Sequence, residues 1–241
     1  IGATGWFYNN VRVDGVVGIT DDYARSGNGS VFMKTQDVAA PGTSNSKADI
    51  EFLTDLATGP LGLLSDLSSM TYEWFRNSAS TNEALQHPAY RVLVAAPIGG
   101  VMTFGGLVFE RVYNESAGWV ADVDQWVTET ITAETNLWNF GLGGFAQDPV
   151  GKGAYNTTLA DWQTFLGPDA VIYGFSAGVG SGWGAFEGAV DNLGWTIDGT
   201  TALYNFEVKS DGVPPIPLPA AGWLLISAIG GMAALRRRRR A

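Results

Sequence analysis

Along the first 212 residues, apolar and polar positions alternate in short runs and do not recur at helical spacing. The runs at 30–36 (SVFMKTQ), 48–53 (ADIEFL), 70–77 (MTYEWFRN) and 90–96 (YRVLVAA) are rich in β-branched and aromatic residues. So are those at 107–113 (LVFERVY), 119–123, 170–175 (AVIYGF), 185–190 (AFEGAV) and 203–209 (LYNFEVK). Each is predicted to be a strand. Turn signals separate them: Ser26-Gly27-Asn28-Gly29, Gly99-Gly100, residues 114–118 and Asp198-Gly199. Asp198-Gly199, between two short apolar runs, predicts a two-residue hairpin. Residues 61–69 predict a short helix or an ordered turn. Residues 158–166 (TLADWQTFL) predict a short helix capped by Thr157 or Thr158 and stopped by Gly167-Pro168. No repeat of 20–50 residues is visible. Nine or ten closely spaced strands predict an all-β fold, a jelly-roll-type β-sandwich, with a closed barrel as the alternative.

Residues 213–241 break this pattern. Pro214, Pro215, Pro217 and Pro219 exclude a normal helix and favour an extended spacer. Residues 220–235 then carry no charge, and Arg236, Arg237, Arg238, Arg239 and Arg240 follow. As a helix the run would span roughly 24 Å, short for a membrane crossing. Snorkelling arginines absorb such a mismatch, and Trp223 suits an interface. The arginine cluster predicts a cytoplasmic end. The expected organisation is a sandwich ectodomain at 1–212, a proline-rich linker at 213–219, a short transmembrane helix at 220–235 and a basic cytoplasmic tail at 236–241.

Composition narrows the classes further. The chain is 46% hydrophobic and 12% aromatic, enough for a large core. Its formal charge is −10; without the five terminal arginines, nine basic residues face 24 acidic ones, a balance of −15. That field repels phosphate backbones, so nucleic acid is excluded as a partner. There is no cysteine, so disulfides and thiolate metal sites are excluded. Ile1 is not an initiator Met and no signal-peptide pattern follows it, so the N-terminus is read as processed or truncated.

Pro217-Leu218-Pro219-Ala220-Ala221-Gly222-Trp223, the apolar run and the arginine cluster resemble the VPLPA variant of the PEP-CTERM sorting domains, with Ile216 in place of the leading Val. The resemblance covers about the last 28 residues. It implies export in a Gram-negative bacterium and transient anchoring in the inner membrane. Recognition at Pro217, Leu218, Pro219 and Ala220 by an exosortase-type processing enzyme, and delivery to the cell surface or matrix, would follow. The family is associated with exopolysaccharide and biofilm surfaces. Residues 180–192 resemble the last core strands of sandwich domains in such proteins and in carbohydrate-binding modules.

The ectodomain offers several candidate chemistries. Gly174-Phe175-Ser176-Ala177-Gly178 matches the G-x-S-x-G nucleophile elbow. The only histidine, His87, lies upstream of Ser176, so the hydrolase order of Ser, acid and His cannot be built, and the match is read as false. Asp21, Asp22, Asp191 and Asn192 are candidate calcium ligands, as hard oxygens in turn-rich segments. Glu73 with Glu110, and Glu129 with Glu134, are candidate carboxylate pairs for glycoside hydrolysis. Eight tryptophans precede the tail. Trp and Tyr stack on sugar rings, and Trp119, Trp126 and Trp183, near loops, are the candidate glycan platform. The expected function is a non-enzymatic surface protein that binds extracellular polysaccharide. A purely structural or adhesive matrix protein and a glycan-active enzyme are the alternatives.

Overall fold

A computed structural model describes residues 5–36, 46–55, 58–181 and 184–209. The proline-rich segment, the Pro217–Ala220 motif, Trp223, the apolar run and Arg236–Arg240 lie outside the described residues, as does Trp183. Contacts divide the chain into Ile1–Val208, which contains the sandwich, and Lys209–Ala241. Among the described residues no helix is long and apolar enough to cross a membrane.

The described chain begins with β1 (Trp6–Arg12), β2 (Val16–Thr20), β3 (Ser30–Thr35) and β4 (Lys47–Leu53). Next come β5 (Gly62–Leu63), β6 (Leu67–Arg76), β7 (Ala89–Ile98), β8 (Val101–Phe109), β9 (Trp126–Ile131) and β10 (Trp138–Phe140). A helix, α1 (Leu159–Leu166), precedes β11 (Val171–Val179), β12 (Phe186–Ile197) and β13 (Thr200–Tyr204). The strands form two antiparallel sheets. One runs β1-β4-β11-β7-β8-β10, with β5 also on β11; the other runs β2-β3-β12-β6-β9, with β13 also on β12. The chain crosses repeatedly between them, so neighbours in a sheet are mostly distant in sequence. The all-β sandwich expected from the alternating runs is the observed architecture.

Alternation explains why two layers form. On β4, Ala48 and Ile50 are buried in the core while Lys47, Asp49 and Glu51 face the other way. On β11, Phe175, Ala177 and Val179 enter the core and Gly174, Ser176 and Gly178 do not share that face. The layers meet through aromatic rings: Phe175 of one sheet stacks on Trp195 of the other at 4.0 Å and 10°. Trp6 meets Trp195 at 6.2 Å, and Tyr72 meets Tyr90 at 5.2 Å. Burial of such rings is the dominant favourable term in a chain without disulfides.

Local signals hold at most turns. Asp198 and Gly199 have φ of 47° and 70° and join β12 to β13 as a two-residue hairpin. Gly99 and Gly100, also at positive φ, join β7 to β8. Helix α1 starts on a capping box in which Thr158 and Asp161 exchange hydrogen bonds, and it ends at Gly167. Residues 61–69 form an ordered 3₁₀ turn at Leu64–Asp66, and β6 starts at Leu67. One expected strand is absent, since residues 119–123 are loop, and the strands expected at 107–113 and 203–209 stop early, at Phe109 and Tyr204. Trp119 packs against the core in that loop, so an apolar anchor mimicked a strand signal. Strands β1, β2, β5, β9 and β10 were not expected from the pattern; β5 is only two residues long and β10 three.

Candidate functional site

The outward face of the first sheet carries a cleft of about 570 Å³. Strand register builds its floor. Glu51, Ser176, Arg91, Val108 and Trp138 fall opposite one another across β4, β11, β7, β8 and β10. Leu53, Gly174, Leu93, Gly106 and Phe140 form the next row. Four inter-strand steps make each row about 19 Å long. Glycines keep this floor low. A Cβ on Gly106 would lie 2.6 Å from the Phe140 ring, and one on Gly178 would collide with Asp49 Oδ1. Without side chains at those positions, Phe140 and Asp49 lie flat on the sheet.

The charged residues of the floor are paired with each other. Asp49, 1% exposed, meets Lys47 Nζ at 2.5 Å and Arg91 at 3.3 Å. Arg91 also donates to Ser176 Oγ at 3.1 Å and to the Gly178 carbonyl at 3.5 Å. Glu51 accepts from the side-chain amides of Asn9 at 2.5 Å and Asn10 at 3.3 Å. The Lys47 pKa is lowered, first by burial and then by Arg91, with Asp49 opposing. Glu110 lies just past the end of β8. Burial pushes its pKa up to about 7, against the opposing pull of Arg91 and the Trp138 indole.

Aromatic rings wall the β10 end. Tyr113 and Tyr155 stack at 4.2 Å and 18°. Trp138 meets Phe145 at 5.0 Å and Tyr155 at 6.4 Å. Phe145 is 66% exposed. Tyr173 also lines the cleft and donates to the Gly105 carbonyl at 3.3 Å. The site therefore combines fixed hydrogen-bonding groups with accessible ring surface, the chemistry that recognises a polyhydroxylated chain.

The G-x-S-x-G match is now explained. It is the middle of β11, an unbroken strand, with Gly174, Ser176 and Gly178 on the cleft side and Phe175 and Ala177 in the core. No helix follows it directly and Ser176 Oγ accepts from Arg91, so there is no nucleophile elbow. His87 is fully buried. It stacks on Trp74 at 4.4 Å, and its Nε2 accepts from the Arg111 N–H at 3.0 Å. Burial drives its pKa down to about 3, so it is a neutral packing residue.

Of the candidate platform residues, Trp183 lies outside the described residues and the other two are placed elsewhere. Trp119 packs on the core with the Arg111 guanidinium 5.5 Å from its ring, and Trp126 lies on β9 of the second sheet, 5.8 Å from Phe75. Neither lines the cleft. The rings that do were missed because nothing local distinguishes Trp138, Phe140 or Tyr155 from core aromatics. The carboxylate pairs separate too. Glu73 on β6 accepts from Arg25, Thr128 and Asn192. Glu110 lies just past the end of β8, a strand of the other sheet. Glu129 accepts from Trp74 and Arg111, and Glu134 is exposed.

Of the candidate calcium ligands, Asp21 and Asp22 are exposed, whereas Asp191 is fully buried and accepts from the Phe206 N–H at 3.0 Å. Asn192 donates to Ser26 at 2.7 Å and to Glu73 at 2.6 Å. Among the described residues no three acidic or histidine side chains converge on a point where a metal could sit. The four residues thus do not fit a multi-carboxylate calcium cage, although Asp191 Oδ2 is buried without a hydrogen-bond partner.

No family model matches the sequence, and no curated protein is significantly similar to it. Solved structures that resemble this chain include the following three. A family 11 carbohydrate-binding module from Clostridium thermocellum, solved with a beta-1,3-1,4-mixed-linked tetrasaccharide, is 13% identical. That match spans 86% of this chain and 93% of the module, with a TM-score of 0.43. A structure describing carbohydrate-binding modules of the β-sandwich superfamily with promiscuous specificity is 14% identical over 79% of this chain and 56% of that one, at 0.35. A cellulose-induced protein is 14% identical over 85% and 93%, at 0.33. Each score lies below 0.5, and none bears on the chemistry of the cleft.

Proposed function

We propose that this protein is a non-enzymatic surface protein that binds an extracellular polysaccharide along the cleft of its first sheet. The observation that carries this reading is the convergence, on one face, of a paired polar floor and an aromatic wall. Glu51 and Asn10 supply fixed hydrogen-bonding groups; Tyr113, Trp138, Phe145 and Tyr155 supply ring faces. A trench about 19 Å long suits an oligosaccharide segment of a polymer better than a single sugar. The jelly-roll-type layout of the sandwich belongs to the same reading. Affinity electrophoresis of the full chain in polysaccharide-containing gels tests it. Retardation that is lost in Trp138→Ala, with circular dichroism unchanged, is expected. Absence of retardation by every polymer tried would overturn the reading.

The tail supports an exported role. Pro217, Leu218, Pro219 and Ala220, the apolar run with Trp223 and the Arg236–Arg240 cluster have the order of an exosortase-sorted anchor. On this reading the protein is held transiently in the inner membrane and then delivered to the cell surface. Intact mass of protein from the producing cell tests it: a mature form that retains residues 223–240 would refute processing at the motif.

A glycan-active enzyme is the second reading, because Glu110 sits beside a cleft that also holds Asp49 and Glu51, with its pKa raised to about 7. Release of reducing ends from a retained polymer, abolished in Glu110→Gln, would favour it over simple binding.

A further inference from the structure

We infer that the cleft is selective for uncharged glycan chains and discriminates against polyanionic ones, an inference that rests on the polysaccharide-binding reading above. Only two cations, Lys47 and Arg91, are among the described residues that line the cleft, together with three carboxylates, Asp49, Glu51 and Glu110. Both cations are committed. Lys47 is held by Asp49. Three of the five N–H groups of the Arg91 guanidinium donate to Asp49, Ser176 Oγ and the Gly178 carbonyl. A uronate or sulfate needs an unpaired, forked cation to replace its lost hydration. None is offered here, and taking Arg91 away from Asp49 would leave a buried carboxylate with Lys47 alone.

The remaining charge acts the same way. Two cations balance Asp49 and Glu51, and ionised Glu110 makes the cleft negative. The whole chain carries −10, so the approach of a polyanion is opposed at long range as well. An uncharged chain meets none of these penalties. Its hydroxyls can donate to Glu51, whose geometry is already fixed by Asn9 and Asn10, and its ring faces can lie on Phe145 and Trp138.

The test is affinity electrophoresis of the full chain at pH 8 against two panels of polymers. One panel is uncharged: mixed-linkage β-glucan, xyloglucan and galactomannan. The other is anionic: polygalacturonate, alginate and a sulfated glycan. Retardation by at least one uncharged polymer, with every anionic polymer weaker by more than about tenfold, is expected. Raising salt from 50 to 500 mM should leave the uncharged interaction unchanged, because no counterions are released. Retardation by an anionic polymer equal to or stronger than by the uncharged ones would overturn the selectivity while leaving polysaccharide binding intact. Retardation by neither panel would overturn the binding reading and the selectivity with it.

Discussion

Asp191 provides a direct test of how the sandwich handles a buried charge. It sits on β12, fully buried, with one carboxylate oxygen accepting from Phe206 N–H and the other without a partner. Burial raises its pKa from the ordinary 3.8 to about 6, with nearby Glu73 adding to the rise and backbone N–H groups opposing it. Because the folded-state value lies above the unfolded one, the folded state holds the proton more tightly. The stabilising contribution is therefore fully present below about pH 4 and is lost as pH rises through about 6. The shift corresponds to roughly 3 kcal/mol in all, at about 1.36 kcal/mol per pKa unit. Between pH 5 and 7.5, linkage assigns about 1.4 kcal/mol of that loss to Asp191. Asp191→Asn removes the titration and keeps an acceptor for the Phe206 N–H. Urea unfolding of both proteins at pH 5, 6, 6.5 and 7.5 measures the difference. Glu110 and Glu129 are raised in the same direction, so both proteins should lose stability with pH. The wild type should lose about 1.4 kcal/mol more. Parallel curves for the two proteins would refute the assignment of a buried, protonating carboxyl at this position.

Further outcomes follow from the cleft and the core. Gly178→Val should abolish polysaccharide retardation, because its side chain would displace the Asp49 carboxylate from the floor; unchanged binding would remove the floor from the recognition surface. Ser176→Ala should leave any glycan binding within about threefold, since Arg91 keeps Asp49 and Gly178, and a complete loss would restore a direct role for Ser176. Phe175→Ala should cost about 3–5 kcal/mol in urea unfolding, because the ring is fully buried and stacked on Trp195. A chelator should leave the melting temperature unchanged, as no three acidic groups converge among the described residues; a clear drop would show that Asp21, Asp22, Asp191 and Asn192 rearrange around calcium.

Much of the site was invisible along the chain for a physical reason. The alternating run at 48–53 was legible as a strand, but that Lys47, Asp49 and Glu51 share the cleft face is a product of β4 in the folded sheet. Ser176 and Arg91 lie 85 residues apart and meet only because β11 pairs with β7 in one register. A shift of that register by one residue would turn Ser176 into the core and leave Asp49 with Lys47 alone. The aromatic wall has the same origin. Trp138 reaches the cleft through β10, a strand too short to signal itself, while Trp119 and Trp126 sit beside loops in sequence and pack elsewhere.

What the sequence determined by itself is local and additive. Alternation set most of the described strands and the all-β class, Asp198-Gly199 set a hairpin, and Thr158 with Asp161 set the start of α1. Charge set an expectation against nucleic acid, the lack of cysteine excluded thiolate chemistry, and the order of proline motif, apolar run and arginines set an expectation of export. The tertiary structure decided which face of which strand became a cleft. It turned a false nucleophile motif into a flat floor and joined Glu51, Ser176, Arg91 and Trp138 into one row. Those outcomes depend on strand order and register between segments far apart in the chain, and neither is encoded in any single stretch of it.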